Sequence, residues 1–259
     1  MVKNIYKQRE LVFELAKDDF RKKYVASMLG AIWGFIPPVV TLLVYWFVFN
    51  VGFRAQPVSD VPYLLWLMCG LVPWFFFSDC MASGVNCYVE YSYLVKKMVF
   101  CLDILPFVKI LSNLFVHLFF VGISMFVFIL FGHLNIYAVQ IVYYMTALIC
   151  LVTSYAALLS VLNIFFRDVS HITAVALQAW VWMTPVIWAE SQFDDNVIQW
   201  LKINPMFYIV NGYRSSLIGG NWFWEDIGYA VYFWGLVVVN YCLGAVLYKR
   251  LHGHFSDLL

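Results

Sequence analysis

Residues 86–106 have the sequence NCYVEYSYLVKKMVFCLDILP, a tyrosine-bearing segment of mixed charge with a long apolar segment on each side. It carries Glu90, Lys96, Lys97 and Asp103. A lysine-rich loop between two membrane spans is retained on the cytoplasmic side. At about 20 residues, it is longer than a simple connection between helices requires. We therefore predict that residues 86–104 form a cytoplasmic loop on which another cytoplasmic component docks.

The composition of the chain predicts a membrane protein. Of the 259 residues, 64% are hydrophobic and 12% are charged, whereas a soluble domain carries roughly 25% charged residues. The apolar residues also occur in runs of about 20, which is long enough to cross a bilayer as a helix. We predict an all-α polytopic membrane protein with one transmembrane domain over residues 1–259. The net charge of +1 indicates no particular partner, and no nucleic acid is expected.

Hydropathy predicts six transmembrane helices. Their expected bounds are Leu29–Val51, Pro62–Val85, Leu105–Phe131, Ala138–Phe165, His171–Trp188 and Ile227–Tyr248. Proline has no backbone N–H and disturbs a helix interior. We therefore expect Pro37–Pro38 to kink the first span, Pro73 to break the second and Pro185 to kink the fifth.

Two segments outside these spans are also predicted to be helical. Residues 4–26 can place Val12, Leu15, Ala16 and Phe20 on one face with charged residues opposite, which is typical of an interfacial helix that does not span. The alternative is a soluble arm packed on a partner. Residues 189–226 are rich in aromatic residues, and we expect two short re-entrant helices whose ends face protein or a water-filled cavity. The alternative there is a pair of helices lying on the membrane surface.

The distribution of lysine and arginine predicts the orientation. Thirteen of these residues lie in the arm, the 86–109 region, the Arg167 turn and the tail, against three on the opposite side. Positive residues are retained on the cytoplasmic side. We therefore expect both termini to be cytoplasmic.

The sequence lacks three common enzyme motifs. No lysine follows a glycine, so a Walker A motif is absent, and there is no HExxH or GxSxG. The cysteines have no CxxC spacing and are expected to be free thiols, and His252 and His254 are expected to be solvated. Asp79 is either a structural carboxylate near the inner end of the second span, as we favour, or a proton relay.

Some aromatic residues fall on single helix faces. Tyr45 and Phe49 share a face of the first span, and Trp180, Thr184 and Trp188 share a face of the fifth. Aromatic faces combined with hydroxyl groups suit sugars, whereas simple packing is the alternative for each residue. We predict that Tyr45, Phe49, Trp180 and Trp188 line a channel.

Several motifs together resemble one family. They are Asp19–Tyr24 (DFRKKY), Leu29–Pro38 (LGAIWGFIPP), Gly70–Asp79 (GLVPWFFFSD), Glu90–Lys97 (EYSYLVKK), Ile104–Pro106 (ILP), Phe166–Asp168 (FRD), Thr184–Trp188 (TPVIW) and Asn204–Leu217 (NPMFYIVNGYRSSL). In this order they resemble the permease subunits of ABC-2 type exporters, and most closely the polysaccharide, teichoic-acid and O-antigen exporters. The resemblance covers nearly the whole chain.

The resemblance implies an assembly and assigns its parts. The assembly is a homodimer in a bacterial inner or plasma membrane, bound to two copies of a separate ATP-binding subunit that holds ATP and magnesium. Residues 1–28 correspond to an interfacial gate helix, residues 86–104 to the coupling loop and residues 189–226 to the outer re-entrant segment. Coupling to the ATPase is assigned to Glu90, Tyr91, Tyr93, Lys96 and Lys97. The outer gate is assigned to Asn204, Pro205, Tyr208, Tyr213 and Arg214.

The sequence therefore predicts the membrane half of an ATP-driven exporter of a lipid-linked glycan. The lipid headgroup is expected to approach near Arg21, Lys22 and Lys23, although ordinary anchoring at the membrane surface explains each of these residues equally well. No cofactor and no covalent chemistry are expected in this chain. The alternatives are an ABC-2 exporter of a small lipophilic drug and a membrane-embedded enzyme that modifies glycans.

Overall fold

The computed structural model describes residues 8–24, 30–52, 61–93 and 102–258, and these ranges are almost entirely helical. The α-helices are α1 (Arg9–Tyr24), α2 (Ile36–Trp46), α3 (Tyr63–Val85), α4 (Cys87–Glu90), α5 (Leu105–Leu130), α6 (Ile141–Phe165), α7 (Asp168–Trp180), α8 (Asp195–Leu201), α9 (Pro205–Leu217), α10 (Ile227–Leu251) and α11 (Phe255–Leu258). A 3-10 helix, Gly30–Gly34, precedes α2, and a π-helix, Phe47–Gly52, continues it.

Helix α3 is the centre of the bundle. It packs against α5, α6 and α9, and α6 packs in turn against α10. Small residues on α6 allow the backbones to approach closely: a Cβ atom added to Gly84 of α3 would lie 2.9 Å from the Ala156 Cβ, and one added to Gly244 of α10 would lie 2.8 Å from the Ala157 backbone. Small residues serve this purpose at contacts between membrane helices.

Five helical stretches in the described residues are long and apolar enough to cross a membrane. They are Ile32–Gly52, Tyr63–Val85, Leu102–Leu130, Ile136–Phe165 and Ile227–His254. These correspond to the first four predicted spans and to the sixth. The prediction of an all-helical protein with several membrane-spanning helices is therefore confirmed.

The predicted fifth span differs from the helix that the structure contains. Helix α7 ends at Trp180 after 13 residues, which at 1.5 Å per residue is about 20 Å and short of the roughly 30 Å of a hydrocarbon core. Pro185 has no N–H to donate to the carbonyl of Val181, and the residue before a proline avoids helical angles. The helix therefore ends before Pro185. The sequence predicted instead a longer helix that is kinked near Pro185.

The prediction that Pro73 breaks the second span was wrong, and the structure locates Pro37 and Pro38 at the start of a helix. Pro37 and Pro38 lie in the first turn of α2, where an N–H has no helical partner and its absence costs nothing, so they begin a helix. Pro73 lies inside α3, which continues through it from Tyr63 to Val85. Asp79 is an exposed residue within α3, about two turns before the helix ends at Val85.

Candidate functional site

The structure brings α1, α4 and the beginning of α5 together at what we call the arm junction, formed by Asp19, Glu90, Tyr91 and Lys109. The Lys109 Nζ atom lies 2.6 Å from Asp19 Oδ1 and 2.5 Å from Glu90 Oε2. One cation on α5 thus holds a carboxylate from the N-terminal helix and a carboxylate from the segment after α3.

The arm junction is largely shielded from solvent. The Lys109 side chain is 8% exposed and that of Asp19 is 13% exposed, whereas the Glu90 side chain is half exposed. The Tyr91 hydroxyl donates a hydrogen bond of 2.7 Å to Asp19 Oδ1, and the Lys109 ammonium lies 5.0 Å from the centre of the Tyr91 ring. Burial, reinforced by the Asp19 carboxylate, raises the pKa of Tyr91 well above its usual value, so its hydroxyl remains a donor.

Local sequence explains how these side chains meet. Val12 and Ala16 on one face of α1 are buried against Ile104 and Val108, which seats the arm on the start of α5. Asp19 follows Ala16 by three residues and Val12 by seven, so it lies on the same face of α1. Burial of the apolar face therefore brings the Asp19 carboxylate to Lys109.

Apolar contacts also fix the position of α4. Tyr88 is fully buried, and its ring lies 5.3 Å from that of Phe255 in α11. Leu105 and Ile164 belong to the same buried cluster. The segment after α3 is therefore held between the C-terminal helix, α6 and α5.

Polar contacts continue one turn and two turns further along α5. Asn113 donates a 2.8 Å hydrogen bond to the Ser83 hydroxyl of α3 and accepts a 3.4 Å hydrogen bond from the Lys23 ammonium of α1. His117 Nε2 lies 2.8 Å from the hydroxyl of Tyr213 in α9. Lys109, Asn113 and His117 are all buried, so one polar face of α5 contacts both the arm and the helix α9.

A cavity of about 370 Å³ opens beside the arm junction. Its lining combines cations and carboxylates with hydroxyl and amide groups: Asp19, Lys22, Lys23, Ser83, Glu90, Tyr91, Tyr93, Lys109 and Asn113. Two of the three cations that the sequence assigned to the lipid headgroup, Lys22 and Lys23, belong to this lining. Arg21 is exposed on α1 and is not part of it. Asp19 and Glu90 compensate the charge of Lys109, and the other cations of the lining, Lys22 and Lys23, belong to α1.

The residues assigned to ATPase coupling do not all face outward. Tyr91 is buried and Glu90 contacts Lys109, whereas Tyr93 is half exposed, with its ring centre 6.3 Å from that of Tyr91. Lys96 and Lys97 lie outside the described residues. Tyr93 and the exposed side of Glu90 are therefore the described members of this set that a partner can reach.

At the opposite end of the bundle, Asn204 organises the start of α9. Its Oδ1 accepts hydrogen bonds from the Met206 N–H at 2.9 Å and from Trp180 Nε1 at 2.7 Å, and its Nδ2 donates to Thr184 Oγ1 at 2.8 Å. Asparagine is a favoured N-cap, and Pro205 follows it at the first helical position. Asn204 therefore begins α9 and ties it to the end of α7.

The other residues assigned to the outer gate are mostly buried inside the protein. Tyr208 shares a 3.0 Å hydrogen bond with the Tyr143 hydroxyl, and Tyr213 contacts His117. The Arg214 guanidinium stacks on Trp66 at 3.8 Å from the ring centre and donates to the backbone carbonyl of Pro185. These contacts fasten α9 to α3, α5 and α6.

The aromatic residues assigned to the channel form two groups. Tyr45 and Phe49 are partly buried, and the Phe49 ring lies 5.6 Å from Tyr63. Trp180 packs between Phe77 and Tyr155, with ring centres 5.1 and 5.8 Å away. The helical face predicted for Trp180, Thr184 and Trp188 does not form, because α7 ends at Trp180.

Trp188 lies beyond the end of that helix. Its Nε1 donates a 3.0 Å hydrogen bond to the Trp182 carbonyl.

In the described part of the chain, no group of three or more His, Cys, Asp or Glu side chains could hold a metal ion.

Sequence reasoning missed Asp19, Lys109, Asn113 and His117 as candidate functional residues. A sequence pattern could have identified three of them, since Lys109, Asn113 and His117 recur at four-residue intervals in a predominantly apolar span. Such residues inside a membrane helix face its interior contacts and are candidates for function. Asp19 had no signal of its own, because only the packing of α1 shows that it meets Lys109.

Comparison with known proteins finds similarity over most of the chain. The model of the family described as ABC-2 type transporter matches residues 10–218. The O-antigen export system permease protein RfbA of Myxococcus xanthus is 26% identical over 222 residues, which cover 83% of each chain. A protein with the same description from Klebsiella pneumoniae is 22% identical over 260 residues, which cover 96% of this chain and 95% of its own.

Proposed function

The chain belongs to the ABC-2 type transporter family, and we propose that it is the transmembrane permease subunit of an ATP-driven exporter of a lipid-linked polysaccharide or teichoic acid. The observation that carries the proposal is the extent of the family match. Residues 10–218 include the arm junction, four of the five long apolar helices and the outer helix α9. Its relatives named as O-antigen export permeases support a glycan as the cargo.

ATP hydrolysis belongs to a separate partner in this proposal. The sequence has no Walker A motif, and the family name implies an ABC ATP-binding subunit. The surface for this partner includes Tyr93, the exposed side of Glu90, and Lys96 and Lys97. Movement of this surface would act on Lys109 through Glu90 and thereby on the arm through Asp19.

The cavity beside the arm junction is proposed to receive the phosphate-bearing headgroup of the carrier lipid. Lys22 and Lys23 provide positive charge there, and Asn113 and Ser83 provide hydrogen-bonding groups. Arg21 would attract the headgroup from outside the cavity. The cavity and the ATPase surface share Glu90 and Tyr93, so lipid binding and partner binding would influence each other.

A homodimer and a defined orientation complete the proposal. Helix α2 belongs to Ile32–Gly52, the least buried of the five long apolar stretches, of whose most apolar 18 residues only 6% are buried. Such an unburied apolar surface suits a contact with a second copy of the chain. Both termini would face the cytoplasm, and α8 and α9 would form the outer gate. Helix α7 and the segment that follows it would together form the sixth membrane crossing.

The test is ATP hydrolysis by the chain reconstituted in liposomes with its ATP-binding partner, with and without a lipid-linked glycan. Glycan should stimulate hydrolysis by the unchanged chain, and Glu90→Arg should lose the stimulation because it places a second cation beside Lys109. Glu10→Arg changes an exposed charge of α1 by the same amount and should retain it. Stimulation by a lipophilic drug but not by glycan would favour a drug exporter, and failure to bind any ATP-binding subunit would refute the proposal.

A further inference from the structure

A second cavity, which we call the outer pocket, lies between the start of α6, the helix α9 and the start of α10. Its volume is about 180 Å³. It is lined by Tyr144, Lys202, Tyr208, Asn211, Gly212, Ser215, Asn221, Trp222, Phe223, Asp226 and Tyr229. Most of these residues play no part in the function proposed above.

The aromatic side chains of the outer pocket are held in place by other rings. Tyr208 stacks on Phe233 with ring centres 4.6 Å apart. Trp222 lies 4.8 Å from Tyr137 and 4.7 Å from Trp224. The pocket therefore offers rigid aromatic surface, which contributes contact area at a low entropic cost.

The polar side chains of the pocket retain hydrogen-bonding capacity. No hydrogen bond joins the side chains of Lys202, Ser215 or Asn221 to another residue in the described part of the chain. Asn211 uses its Nδ2 to bind Glu190, which leaves its carbonyl oxygen available. Asp226 uses only Oδ1, which accepts from the Tyr229 N–H. Donors and acceptors of several kinds thus converge on one small space.

Size and charge narrow the class of ligand. Pockets for drug-sized molecules measure about 300–1,000 Å³, so a cavity of about 180 Å³ suits one ring-sized unit. Lys202 and Asp226 both line it, so an acidic and a basic ligand would each meet one attractive and one repulsive charge. A neutral sugar ring presents hydroxyl groups to the polar side chains and C–H groups to the aromatic ones.

We propose that the outer pocket binds a single neutral pyranose unit of the exported glycan. This inference rests on the proposed function, because it assumes that the cargo is a glycan. In this role the pocket receives sugar next to α9, on the side of the molecule opposite to the arm junction.

Saturation-transfer NMR on the purified full-length chain tests this inference with methyl glycosides of a neutral hexose and of an N-acetylhexosamine. Ser215→Phe should abolish transfer because the larger side chain fills the cavity. The double variant Ser215→Ala with Asn221→Ala removes two polar groups without adding bulk and should weaken binding by about tenfold. Ser191→Phe and Asn196→Ala alter exposed residues of the same kinds outside the pocket and should leave the signal unchanged.

Absence of transfer to the unchanged chain, or equal transfer to every variant, would overturn the inference. If Ser215→Phe does not fold, the double alanine variant decides the question. Glycan transport by the unchanged chain with its ATP-binding partner is measured separately on the same preparation. Transport without sugar binding at the pocket would refute this inference alone, whereas pocket binding without glycan transport would refute the proposed function.

Discussion

Lys109 connects three parts of the chain that are distant in sequence. Its side chain is largely removed from water, where an isolated ammonium group would be strongly destabilised. Two carboxylates, from Asp19 and Glu90, compensate its charge at 2.6 and 2.5 Å. Because each carboxylate belongs to a different element, the position of the arm depends on the position of the segment after α3.

Replacing Lys109 should therefore destabilise the protein. In Lys109→Met the side-chain volume is similar, but Asp19 and Glu90 lose their cation. We expect the free energy of unfolding to fall by about 2 kcal/mol. This is less than the roughly 3–5 kcal/mol lost when a fully buried ion pair is broken, because Glu90 is half exposed. Thermal unfolding in detergent measures this loss. Lys17→Met, at an exposed position of α1, should change stability little, and an equal loss in both variants would contradict the role of Lys109.

The sequence predicts that residues 86–104 form a functional loop, but not which contacts its side chains make. The charge and length of residues 86–106 pointed to a functional loop, and the structure places Glu90 and Tyr91 in the arm junction. The sequence assigns both to coupling with the ATPase, because spacing along the chain does not show which tertiary partner a side chain meets. Lys109 had been counted only as a positive charge near the membrane surface.

Helix α9 makes specific side-chain contacts with several neighbouring helices. Its N-cap Asn204 binds α7, Arg214 stacks on α3 and Tyr213 contacts α5. Gly212 faces α6 so closely that an added Cβ would lie 2.1 Å from ring atoms of Tyr144. A helix held from several sides in this way has one well-defined position.

Gly212→Ala tests this packing. The methyl group must displace Tyr144 or α9, and overpacking of this kind costs about 1–3 kcal/mol. Gly235→Ala in α10 is the control, since nothing lies within 4 Å of its added Cβ and alanine favours a helix over glycine. We expect a lower unfolding temperature for Gly212→Ala and an unchanged or higher one for Gly235→Ala. Equal stability of Gly212→Ala and the unchanged chain would show that α9 is loosely packed.

Helix boundaries were predictable where composition alone decides them. The second, third, fourth and sixth predicted spans agree with α3, α5, α6 and α10 because long apolar runs leave no other arrangement in a bilayer. The effects of proline were less predictable, since they depend on tertiary context. Pro73 is accommodated within α3, whereas α7 ends before Pro185. Asn204 makes hydrogen bonds to the segment between Trp180 and Pro185.

For the whole molecule, the number of membrane crossings determines the orientation of every site. Five long apolar stretches are present in the described residues, and the short α7 with the residues after it would supply the sixth crossing. Six crossings would place the arm and the C-terminal helix on one side of the membrane, and α8 and α9 on the other.

Labelling of single cysteines tests this orientation in intact cells. In a background without the native cysteines, Lys17→Cys and His254→Cys should react with a membrane-impermeant maleimide only after the membrane is opened. Ser191→Cys, which is exposed next to the outer helices, should react from outside. Labelling of Lys17→Cys and His254→Cys from opposite sides would mean an odd number of crossings.

We propose that this chain carries a lipid-linked glycan across the membrane when its partner hydrolyses ATP. The most direct measurement is glycan transport into sealed proteoliposomes that contain the chain and the ATP-binding subunit. We predict accumulation of glycan inside the vesicles that requires ATP and falls at least about tenfold in Lys109→Met, with Lys17→Met unaffected. Accumulation that does not depend on ATP, or none at all from a correctly inserted complex, would contradict the claim.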